Sequence, residues 1–117
     1  MPDRAMSVVA VADLFGISGR REELRAVLAD AERDAAGQPG CVRYSFAATL
    51  ADPDHFLLLS EWRDQAALDA HYASTEFANF QFSLQGLLAR PSQMTQHSVS
   101  GSARPLSSSP PDPRDAD

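Results

Sequence analysis

The 117-residue chain contains no lysine and a single cysteine, Cys41. One cysteine cannot close an intrachain disulfide, and a cytoplasmic setting is the expectation that follows. The ten basic residues are all arginine and are scattered, with only Arg20 and Arg21 adjacent. A formal net charge of −6 without a basic cluster argues against a nucleic-acid surface, which needs concentrated positive charge to displace counterions. No run of about 20 apolar residues is present, so no helical membrane span is expected. The start, Met1 to Met6, and the short apolar run after it, interrupted by Asp13, do not read as a secretory signal. There is no Gly-rich nucleotide loop, no Gly-x-Ser-x-Gly and no Cys-x-x-Cys. His55, His71 and His97 stand far apart with no cysteine nearby, so neither a metal nor a cofactor is expected.

What remains is a chain with hydrophobic residues at 44 %, enough for the core of one domain. Ser7 to Phe15 reads as a strand, rich in Val and too short for a good helix. Arg20 to Ala36 reads as a helix, because Leu24, Val27, Leu28, Ala31 and Ala35 make one stripe. Gly37 and Pro39 stop it. Cys41 to Leu50 alternates, with Val42, Tyr44, Phe46 and Ala48 on one face. The Ala51-Asp52-Pro53-Asp54 turn leads to a third strand, His55 to Trp62, with Phe56, Leu58, Ser60 and Trp62 on one side. Asp64 and Ser74 are caps for two further helical segments, the second running to about Ala89 with Phe77, Phe80, Leu84, Leu87 and Leu88 as its stripe. Gln93 to Val99 is a last, weaker strand. Residues 100–117 are Ser- and Pro-rich and are expected to form a disordered tail.

The order β-α-β-β-α-β is that of a ferredoxin-like α+β domain, here residues 7–99. Apolar residues fall on both faces of the first and third strands, while the helices can cover only one. A second copy is the simplest cover, so a homodimer with sheets face to face is expected.

The most informative residues are Glu61-Trp62 at a strand end, His71 on the helix that follows, and Ser74-Thr75-Glu76-Phe77. With them go Pro39-Gly40-Cys41 leading into Tyr44, and the Asp52-Pro53 turn before Phe56. Together these resemble the antibiotic biosynthesis monooxygenase family of small dimeric α+β barrels, over Val8 to about Val99. The resemblance implies a pocket within each subunit, between sheet and helices. It also implies a range of chemistries: cofactor-independent oxygenation of anthrones or hydroquinones by molecular oxygen, quinol monooxygenation, haem degradation, and isomerisation of a phosphorylated autoinducer-2 signal. Anthrone oxygenases carry an Asn where this chain has Leu58 and can carry a Tyr where it has Leu68. Haem-degrading members need an Asn on the first strand, and Ser7 to Phe15 has none. The Glu61-Trp62…His71 pattern looks closest to the quinol monooxygenase and autoinducer-degrading branch.

Three residues are candidates for catalysis. Trp62 could stack on a flat aromatic substrate or be an ordinary core residue. His71 could accept a proton from a phenol or enol, its ordinary pKa being near 6.5, or simply bond to backbone. Tyr44 could orient a substrate oxygen or fill the core. Phe46, Leu58, Phe77 and Phe80 would line an apolar pocket or pack as core. Glu61 should face away from Trp62, toward Arg43. His55 is expected in solvent, His97 at the subunit interface, and Cys41 as a buried small side chain with nothing to lower its pKa. The leading expectation is a cofactor-independent monooxygenase acting on a small hydroquinone or polyphenol-type aromatic. The alternatives are an acid–base enzyme or isomerase on an enolisable substrate, or a non-catalytic ligand-binding dimer. A phosphorylated substrate would require Arg43, Arg63 or Arg90 to point inward.

Overall fold

The first strand forms where its Val-rich run was read, and its residues alternate in burial. In the computed structural model, which describes residues 7–101, Val8, Ala10, Ala12 and Leu14 of β1 (Ser7–Phe15) are buried and the residues between them are not. The elements that follow are α1 (Arg21–Ala36), β2 (Cys41–Ala48), β3 (His55–Trp62), α2 (Gln65–Tyr72), α3 (Thr75–Ser83) and β4 (Gln93–Val99). The strands form one antiparallel sheet in the order β2-β3-β1-β4. This is the ferredoxin-like arrangement, in which β1 and β3 sit centrally and each helix crosses one face.

The helices cover only that face. α1 buries Leu24, Leu28, Ala31 and Ala35, the stripe expected from the sequence. Each Leu so buried contributes about 1.5–3 kcal/mol relative to solvent. Leu24 and Leu28 join Ala12, Leu14, Phe56, Leu58 and Leu87 in one part of the core. Val8, Ala10, Trp62, Ala67 and Leu68 form the other, and Tyr44 packs against both. On the opposite face lie Val9, Val11, Leu57 and Leu59, with Leu57 39 % and Leu59 41 % exposed. No element among the described residues covers them.

Four local readings change. A bulge between Cys41 and Arg43 breaks the alternation of β2, so Cys41 pairs with Trp62 while Val42 is left 62 % exposed. The strand ends at Ala48, where Thr49 turns back to accept and donate around Asp52. The last helix stops at Ser83 rather than near Ala89. Gly86 takes a left-handed φ of 79°, and Leu87 turns into the core while Leu88 pairs with Gly16. His55 is not free in solvent: its Nε2 lies 2.7 Å from Asp13 Oδ1, and its ring stacks on Phe15 at 4.5 Å. The reading of residues 100–117 as a tail lies outside the described residues from 102 onward.

β2 is an edge strand, and one of its outward amides is occupied. Glu32 of α1 accepts a hydrogen bond from the Phe46 N–H at 2.7 Å. At the other end of the strand, the Gly40 carbonyl accepts from Arg63 N at 2.7 Å, tying the α1–β2 turn to the start of α2.

Gly40 has φ +81°, and a Cβ placed on it would lie 2.5 Å from the Ala67 Cβ. Gly40→Ala is therefore expected to lower stability by about 2 kcal/mol or more, from backbone strain and overpacking together. Gly19→Ala meets nothing within 4 Å at φ +88° and should cost only the backbone strain, about 1–2 kcal/mol. Paired urea-unfolding curves of the two variants check the difference.

Candidate functional site

α2 is short but firmly started. The Asp64 side chain accepts from Ala67 N at 2.8 Å, and the helix then buries Ala67, Leu68 and His71 along one face. That face meets the end of β3. His71 lies nearly flat on the Trp62 indole, with ring centroids 4.6 Å apart and planes 28° from parallel. Trp62 is fully buried, and its Nε1–H finds no acceptor among the described residues. Tyr44, Tyr72 and Phe77 surround the imidazole at centroid distances of 5.4, 5.5 and 5.0 Å. His71 is 5 % exposed. Burial disfavours its charged form and pushes its pKa down from 6.5 to about 4, so it is neutral near pH 7. Its Nδ1 lies 2.6 Å from Gln38 Oε1.

Beside this ring is a cavity of about 130 Å³ between the sheet and α2–α3. Tyr44, Phe46, Leu58, His71, Phe77 and Phe80 all line it, joined by Tyr72, Leu84 and Met94. No Arg, Asp or Glu among the described residues does so. Burial raises the Tyr44 pKa well above 10, with Tyr72, Cys41 and Glu32 adding to the effect, so Tyr44 is a hydroxyl donor rather than a phenolate. Tyr72 donates to Met94 Sδ at 3.0 Å, bridging α2 to β4 across one side of the cavity. Larger concavities, of about 200, 410 and 570 Å³, are outer grooves walled in part by charged side chains such as Arg21, Glu32, Arg63 and Glu76.

The candidates read from the sequence therefore gather round one ring, with one difference of position. Trp62 does not line the cavity; it lies behind His71, which presents the aromatic face. Tyr72, Gln38 and Met94 were not singled out as site residues in the sequence, and Ser74 was read as a helix cap and part of the family pattern. Of these, Tyr72 is next to His71 and Ser74 had its cap signal, while Gln38 and Met94 had no local signal. None of the three arginines reaches the cavity. Arg43 is the cross-strand neighbour of Glu61 on the uncovered face, Arg63 is exposed beside Asp64, and the Arg90 guanidinium lies 3.8 Å over the Phe15 ring. His97 pairs with Val9 on the uncovered face. Cys41 is half-buried, and burial raises its pKa. No group of three or more His, Cys, Asp or Glu among the described residues is arranged to hold a metal ion.

The sequence profile of the antibiotic biosynthesis monooxygenase family matches residues 7–82. This chain belongs to that family. A curated relative, an uncharacterized Synechocystis protein, is 30 % identical over 80 residues, covering 68 % of this chain and 54 % of its own length. The chain thus spans about half of that relative. Among solved structures, PA3566 of Pseudomonas aeruginosa superposes with a TM-score of 0.76 at 23 % identity, over 83 % of this chain and 97 % of its own. A proposed antibiotic biosynthesis monooxygenase of Deinococcus radiodurans gives 0.79 at 20 %, over 86 % and 99 %. At these identities the likeness shows the fold, and the ferredoxin-like architecture is common to this family member and both structures.

The depressed His71 pKa has a consequence for acid stability. The unfolded chain takes up a proton on this histidine below about 6.5, and the folded chain does not until about 4. The stabilisation is complete above pH 6.5 and is lost as pH falls toward 4, to a total of up to about 3 kcal/mol. Urea-unfolding midpoints measured between these pH values should fall in the wild type, and fall less in His71→Gln.

Proposed function

We propose that this chain is a cofactor-independent monooxygenase that oxidises a single-ring hydroquinone-type aromatic with molecular oxygen, closest in type to the quinol monooxygenases. The observation that carries the reading is the neutral, desolvated His71 at the wall of an uncharged aromatic cavity. A neutral imidazole can take a phenolic proton, and a phenolate in a dry site is a far better electron donor to oxygen than the phenol. Tyr44, held protonated, supplies a hydrogen bond to a substrate oxygen. The balance closes without an added reductant. A hydroquinone and one O2 contain the atoms of a hydroxyquinone and one water, with one oxygen atom entering the ring and the other leaving as water.

The size of the cavity supports the single ring. An apolar cavity of about 150 Å³ holds benzene, and this one is about 130 Å³. A fused three-ring substrate would need α3 to move. The absence of a cation at the cavity wall disfavours a phosphorylated substrate, because an anion there would have no partner among the described residues. An uncharged enolisable substrate would meet the same base, and isomerisation without oxygen consumption is the competing outcome.

The functional unit in this proposal is a homodimer in the cytoplasm. The uncovered face of Val9, Val11, Leu57 and Leu59 supports sheet-to-sheet pairing, since contiguous apolar surface of this kind marks association sites. The lone cysteine fits a reducing compartment.

Two measurements test these statements. Oxygen uptake should be seen with monocyclic hydroquinones and not with anthrones, and His71→Ala should slow it about 10²–10⁴-fold. No uptake with any hydroquinone, or full activity in His71→Ala, would sink the oxidative reading. Sedimentation analysis should show a dimer that Leu59→Glu converts to monomer; a monomeric wild type would remove the dimer.

A further inference from the structure

Which nitrogen of His71 carries its proton is decided by a chain of hydrogen bonds that starts at Ser74. The Ser74 hydroxyl has one proton. It is given to the His71 backbone carbonyl, 2.6 Å away, which can only accept. The same Oγ accepts from Phe77 N at 3.1 Å as the N-cap of α3. Toward Gln38, Ser74 can then only accept. The Gln38 amide must therefore turn its NH2 to Ser74, where Nε2 and Oγ are 3.2 Å apart. Its Oε1 is left facing His71 Nδ1 at 2.6 Å. An amide oxygen has no proton to give, so Nδ1 must carry the hydrogen of this bond. The lone pair of the neutral ring then sits on Nε2. Gln38 borders the outer groove and a small void beneath the ring but not the aromatic cavity, whereas His71 borders all three. The Nδ1 bond is thus made on the side away from the cavity.

We propose that Gln38 and Ser74 are positioning residues that lock His71 in its Nδ1–H tautomer, so that the Nε2 lone pair is the proton acceptor offered to whatever occupies the cavity. The proposal deepens the acid–base role given to His71 above, but the lock itself does not depend on the substrate. An uncharged amide also suits the site. It fixes the tautomer without adding the negative charge that a carboxylate would bring beside a buried ring. The titratable groups facing the imidazole are Tyr44 from β2 and Tyr72 from α2. Asp34 from α1 and Glu76 from α3 stand with it around the small void.

Long-range 15N–1H correlation spectra of the full-length protein, recorded near neutral pH without substrate, report the tautomer directly. The wild type should show Nδ1 protonated and Nε2 bare. Gln38→Leu removes the acceptor, and the Nε2–H form should become populated. Gln38→Glu keeps an acceptor and adds a charge; it should retain Nδ1–H and raise the His71 pKa by about one to three. If Gln38→Leu does not fold, Ser74→Ala reads the same chain from its other end, because the freed amide can flip and a mixture of tautomers should appear. A wild-type ring protonated on Nε2 overturns the lock. So does an unchanged tautomer in Gln38→Leu or in Ser74→Ala. Since no substrate is present, a negative oxygen-uptake result leaves these spectra unaffected, and a negative spectral result leaves the oxidation assay to be judged alone.

Discussion

A histidine lies flat against a tryptophan that no solvent reaches, and much of the site follows from that stack. Trp62 closes one face of the His71 ring, so the imidazole loses water on that side and stays neutral. Placing the stack requires β3 to end where α2 begins. The Asp64 cap and the Arg63–Gly40 bond hold that corner, and Gly40 leaves room for Ala67 where any side chain would collide. The cavity is the space that remains between the two parts of the core once the rings are in position.

The two faces of the sheet are built differently. One side, under the helices, holds the cavity and the residues with displaced proton affinities. The other holds Val9, Val11, Leu57 and Leu59, with Asp13–His55 and Phe15–Arg90 contacts toward one end. Because successive strand residues alternate, each central strand contributes to both sides, and a one-residue slip would exchange them. Leu58 faces the cavity while Leu57 and Leu59 face outward, which makes the register of β3 a requirement of the site as well as of the fold.

Most of this was legible in the sequence because it rests on local regularities. The Val-rich run of β1, the period-two pattern of β3, the Leu24–Ala35 stripe and the Asp64 and Ser74 caps fixed the elements, and the element order fixed the family of folds. A pocket between sheet and helices was what the family resemblance implied, and strand and helix faces offered Tyr44, Phe46, Leu58, His71, Phe77 and Phe80 either to it or to the core. The failures have specific causes. Alternation cannot announce a bulge, so Val42 was placed inward in place of Cys41. The Leu84–Leu88 run continues a helical stripe, but Gly86 turns it out of the helix. Gln38, between the stop residues Gly37 and Pro39, was not read at all, since its bond to His71 joins residues far apart in the chain. Trp62 was assigned to the right face, but only the packing of α2 shows which ring stands in front.

The carboxylate of Glu32 has an effect beyond its single bond. A sheet edge with free amides is a template on which another extended chain can be laid, and fibrous growth begins that way. Here a strand approaching β2 near Phe46 finds the amide already taken by a side-chain acceptor, and must expel that acceptor before it can pair. α1 therefore guards this margin of the sheet as well as packing on its surface.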